Sequence, residues 1–264
     1  MARWLIAAAV DLEIRILRAQ LAAAVPERME KGRAWSGTWK GRPVLLVTTG
    51  IGPERARRTL GPLLREGGLE GVCSVGYAGG LLEEIKVGDL LVPEEILVSS
   101  VPQERRFRPD AALYRRALRT ALQRGWACHT GRMVTVDHVV ASEREKRDLG
   151  EVWRAASVEM ESGVVAELAA EAAVPFLTVR VALDTVGFCL PDVSGFLRFW
   201  KQKQWKELAA HGAGQPGQLL ALARVMWYCR IGSIRLARFL ADFFATPFGA
   251  HGHGEDPASG PPAA

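Results

Sequence analysis

The sequence predicts an α/β fold, a largely parallel sheet with helices on both faces, and three observations carry that prediction. Apolar runs of strand length alternate with helix-patterned segments from Trp4 to Asp184. Some of those runs, Trp4–Val10 and Val44–Val47 among them, are continuously apolar, as strands covered on both sides must be. Glycine-rich junctions, TTGIGPERA, SVGYAGGL and HTGRM, follow three of the strands. Glycine there lets the backbone turn with positive φ or come close to a ligand.

In chain order, the strand Trp4–Val10 leads into a helical pattern over Leu12–Ala24 that stops before Pro26. Thr38–Trp39 and Pro43–Thr49 read as a hairpin arm and a core strand. The turn Gly50-Ile51-Gly52-Pro53 opens a helix through Leu64, with Pro53 suited to its first turn. Gly71–Val75, Val87–Val92 and Glu95–Ser99 are strands, Asp110–Arg124 is an amphipathic helix, and Ala127–Val136 is a strand ending at Asp137-His138. A short helix over Glu143–Val152 precedes the most informative stretch, Ser157–Thr185. That stretch holds Glu159 and Glu161 around Met160, an alanine-rich helix, Pro175, and the strand Phe176–Leu183 with Arg180 inside it and Asp184 at its end.

Bulk composition narrows the class. The 264 residues are 48% hydrophobic and 24% charged, ordinary for a globular domain. A net charge of +5 is too mild to call for nucleic acid, and no nucleic-acid partner is expected. Cys73, Cys128, Cys189 and Cys229 form no CxxC pair, which reads as reduced cysteines in a cytoplasmic protein with neither disulfide framework nor metal site. The apolar N-terminus meets Asp11 and Glu13 too soon for a signal peptide and reads as a buried strand. No glycine junction is a dinucleotide fingerprint or a P-loop, so no nucleotide cofactor is expected.

Three carboxylates and one arginine stand out. Asp184 ends an apolar strand, where ligands bind in α/β sheets and where a buried acid needs a partner or a task. Glu161 opens an apolar helix; it is either part of a site or an acid that suits the helix dipole. Glu13 lies a few residues past the first strand and by itself reads as a solvated helix glutamate. Arg180, inside its strand, is expected to neutralise one of the carboxylates.

Together GIGPERA, VGYAGGLLEEIKVGDLLVP, VEMES and VRVALDT resemble, in order, the signature segments of the purine nucleoside phosphorylase/nucleosidase superfamily, over roughly Trp4–Pro191. The resemblance implies a three-layer αβα sandwich with a mixed, mostly parallel sheet and cleavage of an N-glycosidic bond without a metal. It implies Asp184 as general acid at purine N7, and Glu161 with Met160 holding the ribose. It also implies Glu13 activating water, Arg180 near the ribose, and Gly76, Tyr77, Ala78 and Gly79 beneath the sugar. The departures are Leu183 in place of a serine before the acid, Tyr77 in place of a small hydroxyl residue, and Val139 in place of an aromatic that stacks on the base. Ser74 stands where true phosphorylases carry an arginine, which favours water over inorganic phosphate as co-substrate.

Past Asp184 the character changes. Between Phe196 and Thr246 there are eight Lys/Arg against two acids. The organisation expected is a catalytic domain over 1–195, a basic, aromatic-rich helical extension over 196–247, and a disordered Gly/Pro/Ala-rich tail over 248–264. As one helix, Gln218–Ala245 puts Arg224, Arg235, Arg238 and Asp242 on a narrow stripe, with apolar residues around most of the remainder. Such a helix lies on the inner face of a membrane or packs on its own domain or a partner subunit. The tail, the loosened pocket and the DTVGFCLPD segment together resemble the hopanoid-associated branch of the superfamily, which implies release of adenine from adenosylhopane, a lipid-linked nucleoside. The alternatives are a methylthioadenosine/adenosylhomocysteine or futalosine nucleosidase and, from another class, a catalytically silent nucleoside-binding protein. A homodimer is the superfamily's habit.

Overall fold

A computed structural model describes residues 2–99, 105–188 and 216–245. Its centre is a mixed sheet in the order β2-β3-β4-β1-β5-β11-β10-β7-β8. The strands are β1 (Arg3–Ala8), β2 (Ala22–Glu27), β3 (Arg33–Trp39), β4 (Arg42–Thr48), β5 (Leu69–Gly80), β6 (Leu90–Leu91), β7 (Glu95–Val98), β8 (Arg105–Phe107), β9 (Cys128–His129), β10 (Arg132–Thr135), β11 (Ala155–Glu159) and β12 (Phe176–Asp184). The helices are α1 (Asp11–Ala19), α2 (Pro53–Glu66), α3 (Ala111–Gln123), α4 (Glu143–Trp153), α5 (Ser162–Glu171) and α6 (Pro216–Ala245). Helices cover both sides of the sheet, giving the three-layer αβα sandwich that the family resemblance implied.

The continuously apolar strands serve two cores at once. In β1, Trp4, Ile6 and Ala8 face the core shared with α1, α3 and α6, while Leu5 and Ala7 face that of α2 and α5. Val44 and Leu46 against Leu45 and Val47 divide β4 in the same way. This is the period-2 alternation of a strand with both faces buried.

At β5 the sheet forks. Residues 72–79 pair in parallel with β12, while Gly79 and Gly80 pair antiparallel with Val158 and Ser157 of β11. The glycine segment expected to be a loop is therefore the second half of a long strand. The fork gathers the ends of β5, β11 and β12 at one place, the kind of switch point at which α/β sheets bind ligands.

Other boundaries move for tertiary reasons. The helix expected over Leu12–Ala24 stops at Ala19, because Ala22–Glu27 is recruited as an edge strand on β3. Pairing there outweighs alanine's helix preference, and an edge strand tolerates Pro26. The strand expected over Ala127–Val136 breaks at Gly131 (φ +94°) into β9 and β10. That over Val87–Val92 shortens to β6, and β8 and β11 were not anticipated.

Helix α6 is integral to the packing. Leu236, Phe239, Leu240, Phe243 and Phe244 are fully buried, and Phe244 meets Trp4 edge-on with ring centroids 5.1 Å apart. The C-terminal half of the stretch expected to be an extension thus packs in the same core as β1 and β4. The expectations for Phe196–Trp205 and for the 248–264 tail lie outside the described residues.

Candidate active site

A cleft of about 220 Å³ opens at the fork. It is lined by Glu13, Tyr77, Ala78, Gly79, Val139, Met160, Glu161, Leu183 and Asp184, with Val10, Ile51, His138 and Glu159 among its other walls. Nine of the eleven residues picked out from the sequence therefore converge here. Gly76 and Arg180 stand behind the wall.

Glu13 is not a solvated helix acid. From the first turn of α1 its side chain folds back, and Oε2 accepts the backbone N–H groups of Ala9 and Val10 at 2.8 Å each. Oε1 accepts Tyr77 N–H at 3.0 Å. The carboxylate thus caps its own helix and ties α1 to β5. Burial pushes its pKa up, against the opposing pull of Arg180 and the three N–H donors. Gly76 makes this possible: a Cβ there would stand 2.3 Å from Glu13 Oε1 and 2.7 Å from Arg180 Nη1, at φ +151°.

Arg180, 2% exposed, settles which carboxylate it neutralises. Its Nη2 donates to Glu159 Oε2 at 2.7 Å, with Ser162 Oγ at 2.9 Å and Ser74 Oγ at 3.0 Å. Glu159 Oε2 also accepts the N–H groups of Glu161 and Ser162, and Thr135 donates to its Oε1 at 2.6 Å. The acid satisfying the N-terminus of α5 is therefore Glu159, while Glu161 makes no cap bond.

Glu161 instead accepts Gly52 N–H at 2.8 Å, which draws the loop after β4 across the cleft. Its pKa is pushed up to about 8, mainly by burial and then by Glu159, with Arg180 and the Gly52 N–H opposing. Asp184 is also shifted upward by burial, against Lys146. Lys146, 0% exposed, donates from α4 to Asp184 Oδ2, and its bonds to the carbonyls of Thr185 and Phe188 are each 2.8 Å.

Tyr77 points its phenol away from the cleft. The hydroxyl donates to Cys229 O at 2.8 Å and lies 2.6 Å from Ser233 Oγ, both on α6. The residue that departs from the small hydroxyl of the pattern is thus a bolt between β5 and α6. Val139 is 56% exposed and Ile51 48%, so the mouth of the cleft is apolar.

Residues 3–213 match the Phosphorylase superfamily. The chain belongs to that superfamily. A DeoD-type purine nucleoside phosphorylase of Clostridium perfringens is 29% identical over 157 residues, covering 57% of this chain and 67% of that protein. A 5'-methylthioadenosine/S-adenosylhomocysteine nucleosidase of Geobacillus kaustophilus is 28% identical over 197 residues, 68% of this chain and 83% of that one. The crystal structure of the corresponding Neisseria meningitidis nucleosidase, in complex with methylthio-immucillin-A, superimposes with a TM-score of 0.73 at 21% identity. It covers 93% of this chain and 99% of that chain. The resemblance read from VEMES and VRVALDT and the expected fold both stand.

The largest omission from the sequence reading is Lys146. In EREKRDLGEVW it passes for one more charge on a solvated helix, yet it falls on the inner face with Leu149 and Trp153 at i+3 and i+7. That face was the available signal. Gly52 and Ser162 lie within the GIGPERA and VEMES segments, but their roles, like that of Ser233, depend on partners distant in sequence.

Proposed function

We propose that this protein releases adenine from a nucleoside by dissociative cleavage of the N-glycosidic bond. The observation that carries the reading is the convergence of three carboxylates, Glu13 and Asp184 buried and Glu161 half-buried, from three separate parts of the chain on one small cleft. Asp184 protonates the leaving base at N7, which lets the C1'–N9 electron pair depart with it. Its burial raises the carboxyl toward the range in which an acid both holds and yields a proton. Glu161 and Met160 hold the ribose, and positive charge developing on the sugar favours the ionised glutamate. Glu13, its oxygens aimed by three N–H groups, orients the nucleophile.

Water is preferred over phosphate as that nucleophile. Among the described residues the cleft lining carries no arginine or lysine, and Arg180 stands behind it with Nη2 donating to Glu159. Adenosylhopane is the favoured substrate: the apolar mouth at Ile51 and Val139 suits a large apolar 5' substituent, and Trp227 and Met226 stand exposed on α6 for contact with a membrane surface. No described helix is long and apolar enough to cross a membrane. A cytoplasmic homodimer resting on the inner face completes the proposal. The identity to the Geobacillus nucleosidase favours, as a second reading, methylthioadenosine or adenosylhomocysteine as substrate.

The test is adenine release from adenosylhopane, methylthioadenosine and adenosylhomocysteine, with and without phosphate. Free ribosyl product in both conditions is expected, and sugar 1-phosphate would reverse the choice of nucleophile. Asp184→Asn, folded by circular dichroism, is expected to lose about 10²–10⁴-fold in rate. Wild-type protein that releases no adenine from any of the three would leave the silent nucleoside-binding protein as the reading.

A further inference from the structure

We propose that Lys146 is a positioning residue for the acid, fixing which oxygen of Asp184 carries the proton and how readily that proton leaves. The inference rests on the glycosidic reading of the cleft and adds a residue that neither the sequence motifs nor the resemblance picks out.

The argument is stereochemical first. An ammonium has three N–H bonds and no acceptor. Lys146 spends all three, on Asp184 Oδ2, Thr185 O and Phe188 O. Oδ2 is thereby held as an acceptor, so a proton bound by the carboxyl resides on Oδ1. That oxygen lies on the Gly79 side, 3.2 Å from where a Cβ on Gly79 would stand, and Gly79 and Asp184 both line the cleft. The same lysine clamps the chain that leaves β12, so the carboxyl cannot swing. Leu183, with no hydroxyl, offers the neighbouring acid no side-chain hydrogen bond of its own.

Charge adds the second half. Burial strengthens the hold of Asp184 on its proton, and the adjacent ammonium weakens it. Among the described residues Lys146 is the one charged group bonded to Asp184. The other titratable groups at the cleft are Glu13 on α1, Tyr77 on β5, His138 after β10, Glu159 at the end of β11 and Glu161 just before α5. Glu159 is paired with Arg180, His138 with Asp137 and Glu145, and Glu13 and Glu161 with backbone N–H groups. Without Lys146, Asp184 would be a weaker acid whose proton is free to sit on either oxygen.

Two variants separate these effects. Lys146→Met removes donor and charge; Lys146→Gln keeps a donor without charge. The pH profile of kcat/KM for adenine release should fall, on its alkaline side, at a pH about one to three units higher in both variants than in wild type. Plateau kcat should drop roughly ten-fold or more in Lys146→Met and recover part-way in Lys146→Gln. An alkaline limb unmoved in both variants, or a Gln variant no faster than the Met variant, overturns the proposal. NMR titration of the Asp184 carboxyl carbon without substrate gives a readout that does not need turnover. The same upward displacement is expected there, and an unchanged titration refutes the role of Lys146 even if wild type cleaves no nucleoside.

Discussion

Residue by residue, the carboxylates of the cleft are distinguished by their hydrogen-bond donors more than by their distance from solvent. Glu159 receives a guanidinium, a hydroxyl and two N–H groups, and serves structure. Glu161 receives a single N–H and is pushed up to about 8. A carboxyl raised in the folded state binds more protons there than in the unfolded chain. Its contribution to stability is fully present below about 4.5 and lost as pH rises toward about 8. Glu161→Gln removes that dependence, so its melting temperature relative to wild type should climb between those two pH values. Thermal melts across the range check this, and a constant offset would show that burial does not control Glu161. Sequence pattern alone could name Glu161 and Asp184 as acids near a strand end. It could not say which acid Arg180 neutralises, because that depends on β11 and β12 meeting across the fork.

Among the elements, α6 changes meaning most. Its basic stripe and apolar surround are legible in the sequence, but the same periodicity suits a helix on a membrane and a helix on a domain. The structure divides it: the second half is core, while Met226 and Trp227 remain exposed. Phe244→Ala should therefore cost about 3–5 kcal/mol in denaturant unfolding. Trp227→Ser should leave the melting curve within about 0.5 kcal/mol of wild type while reducing co-sedimentation with anionic liposomes. Unchanged sedimentation would remove the membrane contact from the proposed function. Tyr77 joins this helix to the cleft through Ser233 and Cys229 O. Tyr77→Phe should lower stability by about 0.5–1.5 kcal/mol, measured by the same unfolding, through loss of those bonds.

For the molecule as a whole, the sequence by itself determined the class of fold and the kind of chemistry. Continuous apolar strands require cover on both faces, which dictates layers, and the ordered motifs carry the acids with them. These are short-range properties, written in runs of a few residues. The tertiary structure decided the rest. It turned the glycine segment after Val75 into a strand, made an edge strand of Ala22–Glu27, and set Gly76 where only a hydrogen fits between Glu13 and Arg180. It also brought Lys146 to Asp184 across 38 positions of chain. A lysine's role is fixed by the dielectric around it and the acceptors it finds, and both exist only after β12 and α4 have packed. A buried ammonium and a solvated one are the same letter until then.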